Sequence, residues 1–177
     1  MQEHNLWWQI PAWHIIIGCS PKCGTSTLYA AVAKAGVRCH APTLGIGVGQ
    51  RIWIVREPVE RFWSLWKDKC LKGEILYVGE KRARLAGMTP EELIDYIETT
   101  NKKDAHWDTQ SEHEGGTAQV LVPLERFSDW WEEQGYPGPL KTVNRTEKLP
   151  MDLSDDLVER IKIHYADDVR LYKQARR

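Results

Sequence analysis

A short loop with one lysine and several hydroxyl side chains separates an apolar run at residues 15–17 from a segment with helical periodicity. The loop contains Lys22 and Gly24, and three hydroxyl residues begin the predicted helix: Thr25, Ser26 and Thr27. Backbone N–H groups converge at a helix N-terminus, where the helix dipole adds about half a positive charge. Gly24 allows a close backbone approach, and Lys22 adds a full charge. The stretch therefore predicts a phosphate-binding site.

A second cationic group, Arg56, directly follows the apolar run at residues 51–55. A near-continuous apolar run of this length is typical of a buried parallel strand. The next helix is predicted to begin at Pro58 or Val59, because proline is tolerated in the first turn. Ligands of open α/β sheets bind at the carboxyl ends of the strands. Lys22 and Arg56 would share that edge, which fits a ligand with two separate phosphate groups.

The order of residues in the loop identifies a kind of phosphate site. A Walker A loop needs its lysine directly after the last glycine, whereas Lys22 precedes Gly24 and Thr25 occupies the Walker position. Pro-Lys-Cys-Gly-Thr-Ser at residues 21–26 instead resembles the 5′-phosphosulfate loop of sulfotransferases, which use 3′-phosphoadenosine 5′-phosphosulfate (PAPS). Taken alone, the loop also fits another kind of nucleotide site or a glycine turn before a core helix.

Residues 55–64 resemble the second motif of the same family, the 3′-phosphate signature. Arg56 stands at the predicted strand end and Ser64 follows it by eight residues, while Glu57 replaces the family's aspartate. Further segments resemble the carbohydrate sulfotransferase branch: a His-Trp segment at 104–110, a strand ending in glutamate at 120–125 and a strand leading into asparagine at 140–144. The last helix has that branch's Tyr…Asp…Tyr pattern at Tyr165, Asp168 and Tyr172.

The resemblance implies a sulfuryl transfer from PAPS to a hydroxyl of an acceptor, expected to be a glycan, with 3′-phosphoadenosine 5′-phosphate (PAP) as product. Lys22 would neutralise the bridging oxygen, and no metal ion is expected. The donor-binding residues that the resemblance implies are Lys22, Cys23, Gly24, Thr25, Ser26, Thr27, Arg56, Ser64, Asn144 and Arg145.

The acceptor hydroxyl also needs a base, and histidine suits this role because its ordinary pKa is about 6.5. Two candidates stay open: His40, at the end of a predicted strand on the Lys22 edge, and His106 in the His-Trp segment. Glu57 and Glu60 are weaker candidates, because carboxylates are also favoured at a helix start. Arg61 is expected on the solvated face of its helix.

The pattern of elements predicts an α/β fold, a P-loop-like three-layer α/β/α arrangement around a mostly parallel sheet. Residues 1–177 are expected to form one sulfotransferase-like domain, with an N-terminal arm at 1–13 that packs tryptophans onto the body. Helices are predicted at 25–34, from 58, after the capping residue Thr89, at 128–134 and after Ser154. Residues 37–40 are predicted to form a strand and 72–88 a helix end and loop.

Composition narrows the function classes. A net charge of −1 and a pI near 6.6 do not favour a sequence-independent nucleic-acid binder. No apolar run approaches the roughly 18 residues of a membrane span, and no signal peptide is evident, so a cytoplasmic protein is expected. Four cysteines without a CxxC pair do not indicate a metal site. The alternative functions are a P-loop kinase or NTPase, and a non-catalytic nucleotide- or glycan-binding protein of the same fold.

Overall fold

The computed structural model of the chain describes residues 7–34, 49–72, 75–78, 81–100, 102–137 and 150–177. The strands are β1 (Trp7–Ile10), β2 (Ile15–Cys19), β3 (Gln50–Val55), β4 (Ile75–Val78), β5 (Lys81–Arg84) and β6 (Val120–Pro123). The α-helices are α1 (Thr25–Lys34), α2 (Pro58–Trp66), α3 (Pro90–Thr99), α4 (Gln110–Glu114), α5 (Phe127–Glu133), α6 (Asp155–His164) and α7 (Ala166–Ala175). Short 3₁₀ helices lie at Pro11–Trp13 and Leu124–Arg126, and α2 continues into a π-helical turn at Lys67–Leu71.

The central sheet has the strand order β1-β2-β3-β6, in which β2, β3 and β6 run parallel and β1 is antiparallel to β2. Alternate residues of β3 therefore face opposite sides. Ile52 and Ile54 join a core with side chains of α1 and α5, whereas Trp53 and Val55 pack with Leu171 of α7. Helices thus cover both faces, and the predicted three-layer α/β/α fold is confirmed. The parallel strands place the loops after β2 and β3 on one edge.

The N-terminal segment is more than an arm. Trp8 is buried in the core beside β2, as expected for a packed tryptophan, but residues 7–10 also pair with β2 as an edge strand. His14, with a left-handed φ of 52°, lies at the turn between the two strands. The prediction missed this strand because its partner is not evident from the segment's own composition.

Helix-end signals were predicted well. Thr89 and Glu92 form the expected capping box of α3, and Ser154 caps α6 through the N–H of Leu157. Two other predictions were wrong. Residues 75–78 and 81–84 pair as the antiparallel strands β4 and β5 instead of forming a loop, and the final helix breaks at Tyr165 into α6 and α7.

Several predictions fall outside the described residues. They are the end of the first helix at Gly36, the strand at 37–40, the strand at 140–144, and the site residues His40, Asn144 and Arg145. None of the described helices is both long enough and apolar enough to cross a bilayer.

Candidate active site

The loop at residues 20–24 links the end of β2 to the N-terminus of α1. Two of its residues have left-handed backbone conformations, Lys22 with φ of 70° and Gly24 with φ of 90°. At Gly24 a Cβ atom would also lie 2.8 Å from Cδ1 of Leu124. A lysine in this conformation carries a modest backbone strain, which tends to concentrate at functional sites. The loop therefore needs glycine at position 24 and support at position 22.

That support comes from Arg56, the first residue after β3. Its Nη1 donates to the carbonyl oxygen of Lys22 at 2.9 Å. Its Nε is buried and has no hydrogen-bond partner among the described residues; the nearest carboxylate oxygen, on Glu60, is 3.7 Å away. The structure thus places Arg56 against the backbone of Lys22 at one sheet edge. It also leaves a buried N–H group of Arg56 suited to an anion.

Cys23 and Thr25 contact neighbouring side chains instead of projecting from the loop. Cys23 is buried and donates through Sγ to Oε1 of Gln110 at 3.0 Å. Burial raises the pKa of the Cys23 thiol to about 11, so a thiolate role is not favoured. The hydroxyl of Thr25 lies 3.5 Å from Sγ of Cys19. Leu28 N–H donates to Gly24 O, which sets the start of α1 beside the loop.

Arg61 was expected on the solvated face of its helix, but its side chain is only 3% exposed. Its guanidinium donates to the carbonyl oxygens of Pro21 at 3.3 Å, Ala105 at 3.2 Å and His106 at 3.3 Å. Nη1 also lies 3.7 Å from the Asp168 carboxylate. The sequence-based interpretation was wrong because the segments that cover this face come from distant parts of the chain.

Asp168 and Gln110 complete what we call the buried network, defined by Arg61, Gln110 and Asp168. The Asp168 carboxylate accepts the backbone N–H groups of Gln110 and Ser111, both at 2.9 Å. The Gln110 amide donates to Arg56 O at 2.8 Å and accepts from Arg56 N at 2.9 Å. One amide thus fixes the end of β3, while the same side chain holds Cys23 of the loop.

His106 is held by a carboxylate. Its Nδ1 lies 2.7 Å from Oδ1 of Asp104, which also accepts the His106 backbone N–H at 2.9 Å. Such a contact favours the tautomer with the proton on Nδ1 and leaves Nε2 as the basic nitrogen. Because Arg61 bonds both His106 O and Pro21 O, the histidine segment lies next to the loop at residues 20–24.

A second histidine, His113, was not predicted. Its Nδ1 lies 2.9 Å from Oγ of the buried Ser20. Burial, with a smaller contribution from the Arg61 charge, lowers the pKa of His113 to about 4. His113 is therefore neutral near pH 7 and supports the start of the loop. The only sequence signal is its position three residues after Gln110, on the same face of a helix.

A further unpredicted residue is Asp68, whose carboxylate contacts the ammonium group of Lys22. Asp68 lies in the π-helical turn, four residues after Ser64, which is buried on α2. Burial alone would raise the pKa of Asp68, but the hydrogen bonds and charges of Lys22 and Lys69 outweigh it and lower the pKa to about 2. The carboxylate is therefore ionised near neutrality.

The tyrosines of the final helices join the same framework. Tyr165 donates to the carbonyl oxygen of Trp107 at 2.9 Å, and Tyr172 donates to the Glu125 carboxylate. Together with Asp168, the three pattern residues thus contact the His-Trp segment, the start of α4 and the segment after β6. The Tyr…Asp…Tyr pattern thus corresponds to polar contacts that tie the final helices to the site region.

A cavity of about 470 Å³ lies beside Glu57 and Pro58 at the start of α2, with its remaining wall formed by α6 and α7. Lys22, Arg56, Ser64 and His106 do not line it. The candidate site therefore lies outside this cavity. In the described part of the chain, no three His, Cys, Asp or Glu side chains are grouped so that they could hold a metal ion.

Comparison with known families supports the class that the motifs indicate. The model of a sulfotransferase family matches residues 49–117, which is less than half of the 177-residue chain. The matched segment contains Arg56, Ser64 and His106, while the loop with Lys22 precedes it. The match supports a relationship to a sulfotransferase family and sulfuryl transfer in general. No curated protein and no solved structure matches the chain.

Proposed function

We propose that this protein is a PAPS-dependent sulfotransferase that transfers the sulfuryl group to a hydroxyl of a carbohydrate acceptor. One observation carries the proposal: Arg56 donates to Lys22 O at 2.9 Å, and its buried Nε makes no hydrogen bond among the described residues, with the Glu60 carboxylate 3.7 Å away. A donor with a 5′-phosphosulfate and a separate 3′-phosphate needs a cationic group for each. We propose that Lys22 and Arg56 supply them.

The residues present fit such a donor. The left-handed Gly24 and the start of α1 would offer the backbone N–H groups of residues 24–27 to the 5′-phosphate, whereas the Cys23 N–H donates to Ser20 O at 3.1 Å. Arg56 and Ser64 would hold the 3′-phosphate, since a guanidinium and a nearby hydroxyl can grip one phosphate. Asn144 and Arg145, outside the described residues, are proposed as further donor contacts.

Lys22 would supply the main charge stabilisation. PAPS carries an activated sulfuryl group on its 5′-phosphate, and negative charge develops on the bridging oxygen as the S–O bond breaks. A positioned ammonium group stabilises that charge without a metal ion. In the transfer, the acceptor oxygen replaces the bridging oxygen on sulfur, and the hydroxyl proton leaves to a base.

His106 is the proposed base among the described residues, because the Asp104 carboxylate orients its ring through Nδ1. His40 stays a candidate for the same role. The carbohydrate acceptor is supported by the similarity of residues 104–110 to the His-Trp segment of carbohydrate sulfotransferases.

The test is transfer from ³⁵S-labelled PAPS, with glycan acceptors and with water as the slow default acceptor. We expect Lys22→Ala to lower turnover by at least about 100-fold, as the loss of a major charge-stabilising donor does. Lys34→Ala, which removes an exposed lysine at the end of α1, is the matched control and should retain wild-type turnover. A Lys22→Ala variant within a few-fold of wild type would remove Lys22 from the chemistry. PAP binding without any transfer would instead support a non-catalytic binding protein.

A further inference from the structure

Asp68 is placed by an irregular feature of the backbone. The π-helical turn at Lys67–Leu71 follows α2 directly, and Asp68 lies four residues beyond Ser64. π-Helical turns occur frequently at functional sites. The Asp68 carboxylate reaches the ammonium group of Lys22, and the two side chains are 14% and 20% exposed. The lysine proposed to meet the donor is therefore paired with a carboxylate of the chain itself.

The carboxylate has two more cationic partners. Nζ of Lys69 lies 3.2 Å and Nζ of Lys72 3.5 Å from the Asp68 oxygens. Lys69 is largely buried, whereas the Lys72 side chain is 54% exposed and can adjust. Removing the only partner of a partly buried charge is costly. Because Asp68 keeps two lysines when Lys22 moves away, that cost is largely avoided.

We propose that Asp68 is a positioning residue for Lys22. It holds the Lys22 ammonium beside the loop while the site has no donor, and it yields Lys22 to the donor's anionic groups while Lys69 and Lys72 compensate its own charge. This inference rests on the proposed sulfuryl transfer. It adds that the donor competes with Asp68 for one cation, so Asp68 weakens donor binding and improves turnover.

Opposite changes in binding and turnover therefore distinguish positioning from a merely structural role. We expect Asp68→Asn to tighten PAP binding and to slow transfer from PAPS, each by about tenfold, which is within the range of coupling between neighbouring charged groups. A structural defect would weaken both. Asp152→Asn, which removes an exposed carboxylate, is the matched control and should change neither quantity.

A double-variant cycle tests whether the effect passes through Lys22. In the Lys22→Ala background, we expect Asp68→Asn to alter PAP affinity by less than about twofold, because the competing cation is absent. Equal tightening in both backgrounds would show a general charge effect and would overturn the proposal. Unchanged PAP affinity in the Asp68→Asn single variant would overturn it as well.

A readout without any donor separates this inference from the proposed function. In NMR spectra of ¹⁵N-lysine-labelled protein, the Lys22 ammonium group, identified by its loss in Lys22→Ala, should give a protected signal. Asp68→Asn should abolish that protection, and a signal that survives would contradict the pair. If PAP does not bind the wild-type protein, the proposed function fails whatever this spectrum shows.

Discussion

Two ion pairs flank the same loop and differ sharply in burial. Arg61 and Asp168 are 3% and 0% exposed, whereas Lys22 and Asp68 are 20% and 14% exposed. The further partners of Arg61 and Asp168 are mainly backbone groups, which cannot rearrange without moving the chain. The further partners of Asp68 are lysine side chains, which can.

The difference divides the site into a fixed part and an exchangeable part. The buried network sets where the loop and the end of β3 lie, and it has no charge left to offer a ligand. The Lys22–Asp68 pair is partly exposed, so the Lys22 ammonium group can leave the Asp68 carboxylate and contact an incoming anion instead. A catalytic cation is useful only in the second setting, where desolvation does not lock its partner in place.

The largest expected effect comes from breaking the fixed part. Asp168→Asn removes the charge that faces Arg61 and disturbs the acceptor for two backbone N–H groups at the start of α4. Breaking a buried pair on one side typically costs about 3–5 kcal/mol. We expect the free energy of unfolding, measured by urea titration, to fall by about 3 kcal/mol.

The neighbouring residue provides the control for that variant. Asp167 is exposed on the same helix and pairs with Arg170 at the surface. Asp167→Asn should change the free energy of unfolding by less than about 0.5 kcal/mol, as surface pairs usually do. Equal effects of the two variants would mean that burial does not distinguish the two parts of the site.

A smaller effect should appear in the pH dependence of stability, through His113, which supports the start of the loop. The pKa of His113 is lowered by burial to about 4, against about 6.5 in the unfolded chain. Between these values the unfolded state binds more protons than the folded state. The contribution of His113 to the free energy of unfolding is therefore fully present above pH 6.5 and is lost as the pH falls toward 4. We expect this loss, about 2 kcal/mol in the free energy of unfolding, to be smaller in His113→Asn.

The variant difference isolates His113 from other groups. Asparagine can keep the hydrogen bond to Ser20, and the lowered pKa of His164 contributes equally to both proteins. The pKa of Asp68 is lowered to about 2 in the folded chain, from 3.8 in the unfolded chain. The stability that Asp68 provides is therefore lost only below about pH 3.8, outside this range. Parallel stability curves for wild type and His113→Asn between pH 4 and 6.5 would contradict the buried setting of His113.

Local signals in the sequence predicted most of the fold. The start of α1, the capping box of α3 and the strand β3 follow from short-range periodicity and capping chemistry. Lys22 and Arg56 could be placed on one edge because parallel strands end together. The pairing of β1, the pairing of β4 with β5 and the break at Tyr165 depend on tertiary partners that a short window does not show.

The supporting residues of the site were missed for the same reason. Arg61 reaches Pro21 and Ala105, each at least 40 positions away, and Gln110 binds Asp168 across 58 positions. Asp68 meets Lys22 across 46 positions. A charged residue on a helix looks solvated until its covering segments are known. Sequence motifs therefore indicated the groups that are proposed to face the ligand, but not the residues that hold those groups in place.

Calorimetric titration with PAP, ADP and ATP plus magnesium tests the central claim most directly. We expect PAP to bind with a Kd in the micromolar range or tighter, and ADP at least about tenfold more weakly, because ADP lacks the 3′-phosphate for Arg56. Arg56→Ala should remove most of that preference. A preference for ADP or magnesium-ATP over PAP would contradict the sulfotransferase assignment and favour a kinase or NTPase.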